Sequence, residues 1–225
     1  AYAATITNYI RAYGIRDAPF WDLCCGSGAV SYAWYNPVHM VDAGPWGRFW
    51  RYLQKVRALG NLSLPSNLSR GSYEEWVRIA QVQQIPEDPY EYCIRFLALQ
   101  RETFQGKPVG FNGILWKYPG FEGRFAFRVF QEAWRKALQV DIASAHEEDI
   151  HNIHLKNCNV YIDPNYRGTT GYGYSADVPK FIRDNPDNKF FVSYPEIMDD
   201  VQWNKVLDIT ALDNKRLGRG STKDD

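Results

Sequence analysis

The stretch that decides the fold is Asn159-Val160-Tyr161-Ile162-Asp163-Pro164-Asn165-Tyr166. Its apolar first half predicts a buried strand. Pro164 has no amide hydrogen and a fixed φ, so the strand has to end at Asp163. In an open α/β sheet, ligands bind beyond the carboxyl ends of the strands, which makes Asp163 and Tyr166 candidate site residues. A strand followed by an ordinary polar turn is the competing interpretation.

The composition of the whole chain indicates a soluble, folded protein. It has 225 residues, of which 45% are hydrophobic and 16% aromatic, so we expect one domain that carries an insertion. No run approaches the roughly 18 apolar residues of a membrane span, and no signal sequence precedes the first helix. We therefore expect a cytoplasmic protein that does not enter a membrane.

The charges and the metal-binding residue types narrow the candidate functions further. The formal net charge is zero, which argues against indiscriminate polyanion binding, but residues 95–136 carry an excess of five positive charges. The four cysteines and four histidines lack the paired spacing of metal sites. We therefore expect reduced core cysteines and no bound metal.

A glycine turn follows the first predicted strand. Residues 20–25 are apolar except for Asp22, and they lead into Gly26-Ser27-Gly28 and an apolar helical stretch. Glycine lacks the Cβ that would keep a ligand away from backbone amides. The next predicted strand, residues 38–42, ends in Asp42, and an acid at this position accepts hydrogen bonds from ribose hydroxyls in nucleotide-binding folds.

Two ligand classes fit this turn. Gly26, Gly28 and Ser31 approximate the glycine pattern of dinucleotide-binding proteins, so a nicotinamide or flavin dehydrogenase is one interpretation. Asp22, an acid ahead of the glycines, instead suits a ligand with a positively charged amino group. Both interpretations stay open on these residues alone.

Helices account for most of the chain between these motifs. Apolar spacing and capping patterns predict helices at residues 3–13, 46–59, 72–82, 89–103 and 125–138. Further strands are predicted at residues 140–142, 189–194 and 203–209, with residues 146–150 as an acidic loop. Residues 104–113 alternate glycine, aromatic, amide and basic side chains, a composition that suits either a nucleic-acid groove or a surface hairpin.

Four motifs occur in one order, and that order resembles the Dam-like (class alpha) adenine-specific DNA methyltransferases. They are Asp22-Leu23-Cys24-Cys25-Gly26-Ser27-Gly28-Ala29-Val30, then Asp42, then residues 95–106, then the stretch that ends in Asp163-Pro164-Asn165-Tyr166. The resemblance implies an α/β, Rossmann-like class I S-adenosylmethionine-dependent methyltransferase fold with a small, mostly helical insertion. Residues 1–60 and 125–225 would form the catalytic domain, and residues 61–124 the target-recognition insertion.

The resemblance also implies an activity, namely methyl transfer from S-adenosyl-L-methionine to the exocyclic amine of a flipped adenine in double-stranded DNA, in a bacterial or phage-infected cell. Asp163 and the Pro164 carbonyl would hold the amine, next to Asn165, and Tyr166 would stack on the base. The implied cofactor-binding residues are Asp22, Cys24, Gly26, Gly28, Asp42 and Asp149. The implied DNA-binding residues are Arg101, Gln105, Lys107, Asn112, Lys117 and Arg124.

The chain departs from the family pattern at one position of the late motif. Asn165 stands where the family has a second proline, which adds an amide beside the amine site. Two alternatives follow: a catalytically weak or inactive methyltransferase-like module that binds nucleic acid, and a related transferase that acts on RNA or a free nucleotide. The sequence makes no prediction of the target sequence or the oligomeric state.

Overall fold

A five-stranded parallel sheet forms the centre of the protein. The computed structural model describes residues 2–60, 62–64, 75, 78, 85–101, 127–164, 176–194 and 201–204. Within these ranges the strands are β1 (Phe20–Leu23), β2 (Val38–Asp42), β3 (Ile142–Glu147), β4 (Asn159–Ile162) and β5 (Lys189–Val192). Their spatial order is β3-β2-β1-β4-β5, with every neighbouring pair parallel. The predicted α/β class is therefore confirmed, and the topology is compatible with a Rossmann-like fold.

Helices cover the sheet on both faces. One hydrophobic core packs beneath α1 (Ala3–Tyr13), α2 (Ala29–Trp34), α3 (Pro45–Ala58), α4 (Pro89–Arg101) and α5 (Phe127–Gln139). The opposite core packs beneath α6 (Val178–Asp184) and a 3₁₀ turn (Ile150–Asn152). No helix among the described residues is long and apolar enough to cross a bilayer.

The strand sequences alternate between these two cores. Phe20 and Met40 belong to the first core, whereas Leu23, Val41 and Ile162 belong to the second. This is the period-two pattern of a strand, and apolar residues at both phases fit a parallel sheet that is buried on both faces. The sheet is consequently a rigid platform for whatever lies at the ends of its strands.

Helix α4 belongs to the main core, although the sequence assigns it to the predicted insertion. Tyr92 and Phe96 are fully buried, and the Phe96 ring lies 4.8 Å from that of Trp46 and 5.6 Å from that of Phe49, measured between centroids. The part of residues 61–124 that includes α4 thus packs directly on α3. The division into a catalytic domain and an insertion stays a prediction.

Most predicted helices are present, with ends shifted by a few residues, and Glu75 and Arg78 within the predicted helix 72–82 are helical. All four cysteines are free, and Cys25, Cys93 and Cys158 are buried.

Three strand predictions need correction. The predicted strand at 140–142 and loop from residue 146 were wrong, because β3 runs from Ile142 to Glu147. Ser144 and His146 are two residues apart and so place two polar side chains on one face of β3, and the register of β2 with β3 also shifts between Val38 and His39. The first strand ends at Leu23, before the predicted Cys25. Trp203 is not in a strand, and residues 205–209 lie outside the described residues.

Candidate functional site

The carboxyl ends of the strands meet at one edge of the sheet. Leu23, the last residue of β1, pairs with Val41 of β2 and Ile162 of β4, and Asp42 pairs with Glu147 of β3. The chain order reverses between β1 and β4, which is the switch point where an open α/β sheet has its ligand crevice. The described residues predicted for catalysis and cofactor binding all lie in, or just after, these strand ends.

The glycine turn after β1 is built for close packing on one side and open space on the other. Gly28 has a φ of +70°, and a Cβ there would lie 2.5 Å from Cζ2 of Trp50. Gly26 has a φ of +48°, but among the described residues a Cβ there would approach only the Cys24 carbonyl oxygen, at 4.0 Å. The Trp50 indole also donates to the Gly26 carbonyl at 2.8 Å. Gly28 therefore makes room for a core tryptophan, whereas Gly26 leaves room for a ligand.

The Asp42 carboxylate fastens this turn to β2. Oδ2 accepts from the Gly26 amide at 3.0 Å, and Oδ1 accepts from the Gly44 amide at 2.8 Å. Burial raises the pKa of Asp42, while the backbone donors Gly44, Gly26 and Gly47 oppose that rise. Asp42 thus shapes the turn from within the fold, and its predicted contact with a ribose stays a prediction.

Asp22 lies beneath the edge and contacts α2. Its side chain belongs to a residue that is 1% exposed, and Oδ2 accepts from both the Ser31 amide at 3.1 Å and the Ser31 hydroxyl at 2.6 Å. Burial raises the pKa of Asp22 to about 7, although the Ser31 hydroxyl opposes the rise. The charges of Asp163 and Asp42 raise it further. The sequence identified Asp22 as a candidate site residue but did not predict its contact with Ser31. It suggested Ser31 only as the third small residue of the glycine pattern.

Cys24 lies among four carboxylates that are far apart in the sequence. Burial has the largest effect and raises the pKa of its thiol, and the charges of Asp42, Asp22, Asp163 and Asp149 each raise it further. The thiol therefore stays protonated at neutral pH and is unsuited to act as a nucleophile. Where these four acids are ionised, they make this edge favourable for a cationic ligand and unfavourable for an anionic one.

Asp163 follows β4 directly beside the end of β1. Its amide donates to the Leu23 carbonyl at 3.3 Å, and its side chain belongs to an exposed residue. Pro164, the next residue, is buried. Asp163, the residue predicted to accept a hydrogen bond from the adenine amine, therefore lies at the switch point, next to the glycine turn.

The turn after β3 carries two further acids in different environments. Asp149 is exposed and caps the 3₁₀ turn, with Oδ1 accepting from the His151 amide at 2.9 Å. Glu147 is instead paired with two guanidinium groups of α3, 2.6 Å from Arg48 and 2.8 Å from Arg51. Glu147 thus joins the edge strand to α3, whereas Asp149 faces the site.

Several predicted residues lie outside the described residues, namely Asn165, Tyr166, Gln105, Lys107, Asn112, Lys117 and Arg124. Arg101 is the last residue of α4. The predicted DNA contacts and the stacking of Tyr166 therefore stay predictions.

Metal sites and known relatives give no further indication of function. Within the described ranges, no group of three or more His, Cys, Asp and Glu residues could hold a metal ion. The sequence matches no protein-family model, and the search of curated proteins found no significant match. What the protein does therefore has to be argued from the site itself.

Proposed function

We propose that the protein is an S-adenosylmethionine-dependent methyltransferase that acts on the exocyclic amine of a flipped adenine in double-stranded DNA. The observation that carries the proposal is the position of Asp163, whose amide is 3.3 Å from the Leu23 carbonyl, immediately before the glycine turn. A cofactor seated on the turn at the switch point would present its methyl group to an acceptor held by Asp163. We include in this proposal that the α/β fold is that of a class I methyltransferase and that residues 61–124 form its target-recognition insertion.

The charge of the edge supports this cofactor over a dinucleotide. S-adenosylmethionine carries a positive sulfonium and a positive amino group, and both are stabilised by nearby carboxylates. A dinucleotide would place its pyrophosphate at the start of α2. There, however, the Asp22 carboxylate already accepts from the Ser31 amide, and a second anion would be repelled. This contact weighs against the nicotinamide or flavin dehydrogenase.

The chemistry needs an acceptor pair at the amine, and the Asp163 carboxylate and the Pro164 carbonyl would supply it. The adenine lone pair is delocalised into the ring, so the free amine is a poor nucleophile. Two hydrogen-bond acceptors would hold the nitrogen in the geometry of in-line attack. S-adenosylmethionine would supply the methyl group: the nitrogen would bond to the methyl carbon as the carbon–sulfur bond breaks, leaving a neutral thioether, and the amine would lose a proton to Asp163 or to water. The base has to leave the duplex for this approach.

The DNA contacts proposed for this enzyme come from the positively charged segment 95–136. Lys107, Lys117 and Arg124 would meet phosphates, and Gln105 and Asn112 would contact base edges. These contacts are the part of the proposal that rests on the sequence alone.

Methyl transfer from labelled S-adenosylmethionine to unmodified duplex DNA tests the proposal. We expect transfer by the wild type and its loss in Asp163→Ala, while calorimetry still detects cofactor binding, because Asp163 would act on the adenine and the other three acids remain at the edge. Asp141→Ala is the matched control, because Asp141 is an exposed acid at the opposite edge of the sheet, just before β3. Cofactor binding without transfer would indicate the inactive binding module instead. A silent calorimetric titration would contradict the proposal altogether.

A further inference from the structure

His151 connects two parts of the fold that lie on either side of β4 in the chain. Its backbone amide donates to Asp149 Oδ1 at 2.9 Å, and its ring Nε2 accepts from the Asp177 amide at 3.2 Å. Asp149 belongs to the turn after β3, whereas Asp177 is the N-cap of α6. One residue therefore ties the turn after β3 to the helix that follows Asp163 and Pro164 in the chain.

The imidazole ring is held in one tautomer by this contact. A nitrogen that accepts a hydrogen bond has a free lone pair, so the neutral ring carries its proton on Nδ1. Among the described residues, the buried Nδ1 has no hydrogen-bond partner. An unsatisfied buried donor is unfavourable, and an apolar side chain of similar size would avoid it. The contribution of the imidazole is therefore the acceptor at Nε2.

The start of α6 depends on this acceptor. Asp177 Oδ1 accepts from the Lys180 amide at 3.0 Å and so caps the helix, while His151 satisfies the amide of Asp177 itself. The His151 ring also meets the Phe181 ring edge-on at 6.3 Å, and Phe181 is 1% exposed in the second core. The ring consequently fixes both the cap and the packing of the first turn of α6.

We propose that His151 is a positioning residue: its backbone amide holds the Asp149 carboxylate, its ring holds the start of α6, and the two are thereby kept in one fixed arrangement. It acts through the turn that carries Asp149, whose charge acts on Cys24 beside the glycine turn, and through the start of α6, the next described helix after β4. This role rests on the proposed function, because it assigns Asp149 to the cofactor side of the same site.

Two substitutions distinguish the effect of the hydrogen-bond acceptor at Nε2 from the effect of the volume of the ring. His151→Gln keeps an acceptor oxygen near the place of Nε2, whereas His151→Leu fills a similar volume without one. Amide hydrogen exchange at Asp177, followed by NMR, reads the contact directly, and calorimetry with S-adenosylmethionine reads its effect on the site. We expect His151→Leu to lose about tenfold in both Asp177 protection and cofactor affinity, the equivalent of one net hydrogen bond, and His151→Gln to stay within about twofold of the wild type.

The outcomes separate this proposal from the proposed function. Unchanged Asp177 exchange and unchanged cofactor affinity in His151→Leu would overturn the role of His151 alone, and so would a failure of His151→Gln to restore them. A wild type that binds no S-adenosylmethionine would overturn the proposed function and the positioning role with it, even if the exchange result confirmed the contact. If His151→Leu does not fold, His151→Asn, which is polar but too short to reach the Asp177 amide, replaces it with the same expected losses.

Discussion

The Asp22 carboxylate accepts both the amide and the hydroxyl of Ser31, at 3.1 and 2.6 Å, while the residue is 1% exposed. Two donors on one oxygen stabilise the ionised form, but the loss of solvent is the larger effect and raises the pKa of Asp22 to about 7. The acid at the base of the glycine turn is therefore partly protonated near neutral pH. We therefore expect its charge state to affect both the stability of the fold and the binding of the proposed cofactor.

The stability of the wild type should fall as the pH rises from about 4 to about 7. In this window the folded state holds a proton on Asp22 that the unfolded state, with its pKa of 3.8, has lost. Asp22→Asn removes the buried charge, and its amide oxygen can still accept from Ser31. We expect the variant to gain up to about 4 kcal/mol in free energy of unfolding at pH 8, from about 1.4 kcal/mol per pKa unit, and little at pH 4.5.

Urea unfolding at both pH values measures this difference. Asp141→Asn, an exposed acid at the opposite edge, should follow the wild type at each pH. Parallel pH dependence in Asp22→Asn and the wild type would show that the Asp22 carboxyl does not titrate in this window.

The affinity for the cofactor should also depend on the ionisation of Asp22, but it should rise with pH where the stability falls. A cationic ligand favours the ionised carboxylate, so the affinity for S-adenosylmethionine should increase as the pH rises through about 7, and binding near pH 6.5 should release a proton. Calorimetry in buffers of different ionisation enthalpy counts that proton. In Asp22→Asn we expect weaker binding with no proton release from this site. A pH-independent Kd in the wild type would contradict the link.

Gly28 should be far less tolerant of a side chain than Gly60, although both have a positive φ. Alanine at Gly60, with a φ of +73°, meets no atom of the described residues within 4 Å, so it should cost only the backbone penalty of about 1–2 kcal/mol. Alanine at Gly28 adds a clash with Trp50 at 2.5 Å, and overpacking of this kind costs about 1–3 kcal/mol more. The difference between the two variants in chemical denaturation isolates the packing against Trp50. Equal losses would mean that Trp50 moves away freely.

His39 should titrate at a lower pH than an exposed histidine. Burial lowers its pKa below 6.5, and the charge of His146 lowers it further. The Ser144 hydroxyl bridges the two rings, 2.8 Å from His39 Nδ1 and 2.9 Å from His146 Nε2, and the Trp21 indole stacks on His39 at 4.4 Å.

Because the folded pKa of His39 lies below the unfolded value, this residue lowers stability as the pH falls through 6.5. Imidazole NMR titration measures the pKa, and His146→Gln should raise it only in part, since burial is the larger cause. A full return to 6.5 in that variant would assign the shift to His146 instead.

The sequence was most informative where one periodicity ran without interruption. The stripe Trp46, Phe49, Trp50, Leu53 and Val56 predicted α3, and all five side chains are buried. The strand predicted at residues 140–142 ended too early because Ser144 and His146 place polar groups in β3, where the Trp21 ring stacks on His146 and the His39 ring contacts Ser144.

In the site, too, some features can be predicted from the local sequence and others depend on tertiary packing. Strand ends followed by Asp42 and Asp163 can be recognised in the sequence, because parallel strands bring their carboxyl ends to one edge. The burial of Asp22 and its pairing with Ser31 depend on how α2 packs against β1, which no local pattern specifies. The contact of His151 with Asp177, 26 residues further along the chain, is equally a product of tertiary packing.

Mass spectrometry of the nucleosides released from duplex DNA, after incubation with the protein and S-adenosylmethionine, tests the central claim most directly. We predict that the wild type produces adenine methylated on its exocyclic nitrogen, that Asp163→Ala produces none while still binding the cofactor, and that Asp141→Ala matches the wild type. Unmodified adenine from the wild type, under conditions where calorimetry shows the cofactor bound, would contradict the assignment of this protein as a DNA adenine methyltransferase.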